Sequence, residues 1–215
     1  MRRRGDFMKQ SNKNTIILAL IFGFIGGTLG NILTDSPQES ESSQEQLIKE
    51  FYDVEVATSV SPHHIRKGMA KGDESFILID LRSEEEYLEE HVIGAVNVPA
   101  YKDRDHSDYG AIDRITESVK ALHEANPEKD LIVYCYSIPC MTGRKVGKIL
   151  ADKGIYVKSL GVGWNEWRYF WTLWNHPHEW NTTNVEDYVT SGPEPGVFEA
   201  DFTGAACPIE GGLGC

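Results

Sequence analysis

The stretch VYCYSIPCMTGRKVGKIL, residues 133–150, joins a strand signal, a loop and a helix signal. It opens within the apolar run LIVYC, which is short, contains β-branched residues and reads as a buried strand ending on Cys135. A loop carrying a proline and a second thiol, Cys140, comes next. A helical period then begins, with Val146, Ile149 and Leu150 on one face and Gly154 placed as a C-terminal stop.

Working outward, the same alternation recurs. Upstream, FILIDLRS reads as a strand, EEEYLEEH as a helical turn or two, and AVNVP as a short strand closed by Pro99. A polar loop, YKDRDHSDYG, leads to a helix with Ile112, Ile115, Val119 and Leu122 on one face, ended by Asn126-Pro127. Downstream, IYVKSL reads as the last strand and GWNEWRYFWTLW as an aromatic-rich helix. Further upstream, Ser61 and Pro62 open a short helix with Ile65 and Met69 four apart; the adjacent His63 and His64 point in different directions on it and read as surface residues. Strands alternating with helices predict an α/β fold with a parallel sheet flanked by helices. Sites in such folds lie at the C-terminal ends of strands, and Cys135 sits at one.

The N-terminus differs in kind. Residues 1–14 carry Arg2, Arg3, Arg4, Lys9 and Lys13, and residues 15–33 follow without a charge. This predicts a basic cytoplasmic segment and an uncleaved transmembrane signal anchor, with a cleaved signal peptide as the alternative. The positive-inside rule then places a single pass in the inner (cytoplasmic) membrane, the remaining chain facing the periplasm or extracytoplasmic space. Residues 34–50 read as a polar linker, 51–180 as the domain, and 181–215 as a Gly/Pro-rich tail with Cys207 and Cys215. With 33 Asp+Glu against 21 Lys+Arg, net charge −12, the chain is a poor match for nucleic acid.

LIDLRSEEEYLEEHVIGAVNVP, residues 78–99, resembles the first signature of rhodanese-like sulfurtransferase domains. Asp80, Arg82, Glu86, Tyr87, His91, Gly94, Ala95, Asn97 and Pro99 match it, while Glu90 stands where glycine is usual. LGVGWNEW, residues 160–167, is similar to a later motif, with Val162 in place of the first of two glycines. The resemblance implies a five-stranded parallel sheet and a cysteine that takes sulfane sulfur from a small donor such as thiosulfate or a persulfide. The sulfur then passes to a thiol acceptor, with no cofactor and no metal. It also implies that Asp80, Arg82, Glu86 and His91 are structural.

The loop departs from the family pattern, being about two residues longer when counted from Cys135. Strand position favours Cys135 as nucleophile, and the CMTG sequence favours Cys140; the reading takes Cys135, with Cys140 as accessory or rival. Tyr136, Ser137, Ile138, Met141, Thr142 and Gly143 form the substrate-binding loop in this reading. Arg144 either orients an anionic donor or caps the loop. It comes too late for the C-x5-R phosphate loop of related phosphatases. The two thiols also permit a thiol–disulfide redox pair, and the divergent loop permits a non-catalytic binding module.

Overall fold

A computed structural model of the chain describes residues 43–198. The chain divides into two units at residue 48, and of the first only residues 43–48 fall in the described span. The expected basic segment, the 15–33 membrane helix and the tail cysteines Cys207 and Cys215 lie outside the described residues. Among those described, no helix is long and apolar enough to cross a membrane.

Helix α1 (Gln44–Thr58) runs across the expected boundary between linker and domain at residue 50, and none of its residues is buried. It leads into β1 (Ser59–Val60) and α2 (Pro62–Ala70). Then come β2 (Phe76–Asp80), α3 (Glu84–Glu89), β3 (His91–Val92), β4 (Val96–Asn97) and α4 (Ile112–Ala125). The chain continues through β5 (Asp130–Tyr134), α5 (Thr142–Ala151), β6 (Lys158–Leu160), α6 (Trp164–Tyr169) and β7 (Val189–Thr190). Five strands form one sheet in the order β1-β6-β5-β2-β4, with every neighbouring pair parallel, as the α/β alternation predicts.

The period-two alternation of β5 sorts the core. Leu131 and Val133 face Ile115 and Val119 of α4 and Val146 and Leu150 of α5, and Cys135 continues this face. Ile132 and Tyr134 face the other way, toward Ile65 of α2 and the Trp164, Trp167 and Trp171 group. Both faces of β5 are therefore dry, which is why LIVYC is a continuous apolar run. The aromatic helix is shorter than its sequence suggests: α6 stops at Tyr169, and Trp171–Leu173 forms a 3-10 turn. That turn lets Trp167 and Trp174 stack at 4.9 Å.

The tail does not begin at residue 181. Val189 and Thr190 pair antiparallel with Val92 and His91, and Tyr188 is buried against Trp171. His63 is likewise a correction, being buried rather than on the surface. Its Nε2 lies 2.8 Å from Glu179, which also accepts from Arg66 at 2.6 Å. A histidine at the first turn of α2 is covered by a carboxylate 116 residues later, a contact that local sequence does not announce.

Candidate active site

The motif residues near β2 brace the site from behind. Asp80, fully buried, accepts from Arg82 Nη2 at 2.7 Å and from the Tyr134 hydroxyl at 2.7 Å. Arg82 also donates to the Glu90 carbonyl at 2.8 Å. Tyr87 stacks on His91 with ring centroids 3.7 Å apart and donates to the Ala95 carbonyl, while Asn97 bridges the carbonyls of Asp80 and Arg82. Glu90 has extended backbone, so glycine is not required there, and its side chain holds Arg168 at 2.8 Å. Glu86 adds a charge interaction with Arg82, and its carboxylate accepts from Ser83 and from the Tyr136 hydroxyl, each at 2.5 Å, tying this segment to the loop after β5.

That loop is pinned by the start of α6. The Trp164 N–H donates to the Cys135 carbonyl at 2.7 Å and the Asn165 N–H to the Tyr136 carbonyl at 2.8 Å. Glu166, nearly buried, accepts from the Gly163 N–H at 2.9 Å and from the Ile138 N–H at 3.2 Å. Gly163 permits the close approach: a Cβ there would fall 2.2 Å from the Ser137 nitrogen. The second glycine of the LGVG segment thus has a steric reason, whereas Val162 is buried in the core.

The loop then folds back, with the Cys140 N–H donating to the Ser137 carbonyl at 3.0 Å. This turn packs Cys140 against the buried group that contains Cys135, and both are free thiols. Cys135 is only 5% exposed, whereas Cys140 is partly exposed. Burial pushes the Cys135 thiol well above the ordinary range, and the neighbouring Cys140 charge adds to this. Burial also acts against ionisation of Cys140, but hydrogen bonds outweigh it and lower its pKa: from the Thr142 hydroxyl and N–H, from Cys135, and from the Tyr136 N–H.

Cys140 also stands just before α5, where the unpaired N–H groups and the helix dipole favour an anion. The Thr142 hydroxyl, 3.3 Å from the Cys140 sulfur, is met from behind by the hydroxyls of Tyr101 at 3.0 Å and Tyr109 at 2.9 Å. Arg144 turns back to the loop carbonyls of Ile138 and Cys140, at 3.2 and 3.4 Å. Met141 is exposed and Gly143 buried. A cleft of about 740 Å³ reaches both cysteines and is lined also by Ser137, Ile138, Arg144 and Lys148. Cys140 is therefore the more accessible of the two thiols.

Sequence reasoning missed Tyr101, Tyr109 and Glu166. The tyrosines bracket what reads as an ordinary polar loop and carry no local signal. Glu166, three residues after Gly163, stands at the spacing of a carboxylate that reaches back to a helix-start N–H, and this could have marked it.

The family model described as the rhodanese-like domain matches residues 61–169. Over 91 residues, 42% of this chain, the sequence is 32% identical to an HTH-type transcriptional regulator of Mycobacterium tuberculosis. The chain spans about a third, 34%, of that relative's length. Among solved structures, a Bacillus halodurans protein is 24% identical, with 56% of this chain and 78% of that one covered and a TM-score of 0.42. A rhodanese from E. coli, described with anions, is 25% identical, with 40% and 84% covered and a TM-score of 0.28.

Proposed function

Because this chain belongs to the rhodanese-like domain family, we propose that it is a sulfurtransferase carrying sulfane sulfur as a persulfide on Cys140. The observation that carries this reading is the place of the partly exposed Cys140 at the start of α5, in an open cleft and with its thiol hydrogen-bonded to the Thr142 hydroxyl at 3.3 Å. In the first half-reaction the Cys140 thiolate attacks the sulfane sulfur of the donor. The donor's sulfur–sulfur bond breaks, and the remainder leaves with the electron pair, as sulfite from thiosulfate or as a thiolate from an organic persulfide. In the second, an acceptor thiolate or cyanide attacks the outer sulfur and Cys140 leaves as thiolate. The N–H groups of Tyr136 and Thr142 stabilise the charge on Cys140 at the start and end of the cycle.

The same proposal places the domain in the cell envelope, outside a membrane spanned by residues 15–33, on the support of the basic segment and the uncharged run in the sequence. Thiocyanate formation from thiosulfate and cyanide tests the activity. Cys135→Ser turns over and Cys140→Ser does not. Equal turnover in Cys140→Ser removes Cys140 from the reaction, and no turnover in Cys135→Ser with either thiosulfate or glutathione persulfide removes the activity.

A further inference from the structure

Cys135 is not needed by the half-reactions above, yet it is a second thiol in the same cleft as the first. The residue is fixed on three sides. Its carbonyl is held by the Trp164 N–H at 2.7 Å, its side chain continues the buried face of β5, and its thiol shares one cleft with Cys140, which packs against that same buried face. The fold-back at Ser137–Cys140, with the Ile138 N–H anchored on Glu166, holds Cys140 against it. A buried thiol in contact with a sulfur acceptor is in the position of a resolving cysteine.

Resting on the persulfide reading, we propose that Cys135 resolves the Cys140 persulfide within the same chain, so that the domain reduces sulfane sulfur to sulfide. Cys135 passes its proton to the terminal sulfur and its Sγ attacks Cys140 Sγ. The bond from Cys140 Sγ to the terminal sulfur breaks, hydrosulfide leaves with the electron pair, and a Cys135–Cys140 disulfide forms. The sulfane sulfur gains two electrons and the two thiols lose two. A dithiol reductant then restores both thiols by exchange, and supplies the electrons of each further turnover. The burial that keeps Cys135 protonated suits this order of events, because the proton remains available until a persulfide is present to receive it.

The test uses the full chain, reduced, freed of reductant, and given an equivalent of thiosulfate or, in a parallel arm, of glutathione persulfide. Released sulfide is measured, and peptide 130–144, which holds both cysteines, is weighed. The wild type should release sulfide without added reductant while the peptide becomes two hydrogens lighter, and dithiothreitol should restore it. Cys135→Ser and Cys135→Ala should instead retain the added sulfur on Cys140, with sulfide release down by about tenfold or more. Retention of the sulfur by the wild type, or undiminished release in both Cys135 variants, overturns the proposal and leaves the persulfide reading standing. If neither wild type nor variants take up sulfur from either donor, and no disulfide forms, both fail together.

Discussion

The Thr142 hydroxyl oxygen stands 3.3 Å from the Cys140 sulfur, with the Tyr101 and Tyr109 hydroxyls 3.0 and 2.9 Å behind it. A threonine hydroxyl has one proton and two lone pairs. The Cys140 thiol donates to this oxygen, and once the thiol ionises the threonine's own proton can turn to the sulfur while the tyrosines donate from behind. Thr142 then fixes the charge of Cys140 from a position that touches no substrate.

Thr142→Val removes that donor and keeps the shape. Since hydrogen bonding lowers the Cys140 pKa, its loss raises it, and the midpoint of Cys140 alkylation with pH should move up. Near neutral pH, alkylation slows accordingly. Thr142→Ser should restore the midpoint. Peptide-resolved alkylation rates across pH check this, and an unmoved midpoint in the valine variant removes Thr142 from the role.

Two glycines should respond in opposite ways to alanine. At Gly163 the new Cβ meets Ser137 backbone atoms at 2.2 and 2.4 Å, so the loop must move, at a cost of about 1–3 kcal/mol and of Cys140 reactivity. At Gly147, inside α5, the nearest atom would be the Val157 side chain at an ordinary 3.7 Å, so alanine should stabilise by up to about 1 kcal/mol. Denaturant unfolding of both variants measures the contrast.

The buried pair at the sheet's end should outweigh an exposed pair. Arg82→Met leaves Asp80 buried without its cation, at a cost of about 3–5 kcal/mol. Arg104→Met removes exposed pairs to Glu85 and Glu89, which solvent screens, and should cost far less. Similar losses in the two variants would contradict the assignment of Asp80 and Arg82 as the structural brace.

Glu179 should govern acid stability. Burial would raise its pKa, but hydrogen bonds from His63 and Arg66 hold it down, from 4.5 to about 2. A carboxylate lowered on folding stabilises the protein above its unfolded pKa, and that stability drains as pH falls from there through the folded value. The window is therefore pH 4.5 to about 2 and the amount about 3 kcal/mol. Glu179→Gln should lose stability at neutral pH and show a flatter unfolding profile across that window; a parallel profile would contradict the linkage.

Local patterns made much of the fold legible. The apolar run ending at Cys135, the period of Val146 and Leu150, and the residue 78–99 signature led to the parallel α/β sheet, because each is a local consequence of burial or turn geometry. Contacts between distant segments were not legible. Nothing near His63 reveals Glu179, and nothing near Thr142 reveals two tyrosines more than thirty residues earlier. The proposed choice between the cysteines rests on such a contact as well. Counting from the strand end weighs Cys135, but the chain turns back from Ser137 to Cys140 and leaves Cys135 buried and Cys140 partly exposed.

The central claim, a persulfide on Cys140, is tested most directly by intact mass and peptide mapping of Cys135→Ser and Cys140→Ser after reduction and exposure to thiosulfate or glutathione persulfide. The account predicts a gain of one sulfur atom in Cys135→Ser, located at Cys140, and none at the site in Cys140→Ser. A gain at Cys135 in Cys140→Ser, with none in Cys135→Ser, would contradict it and return the nucleophile to the end of the strand.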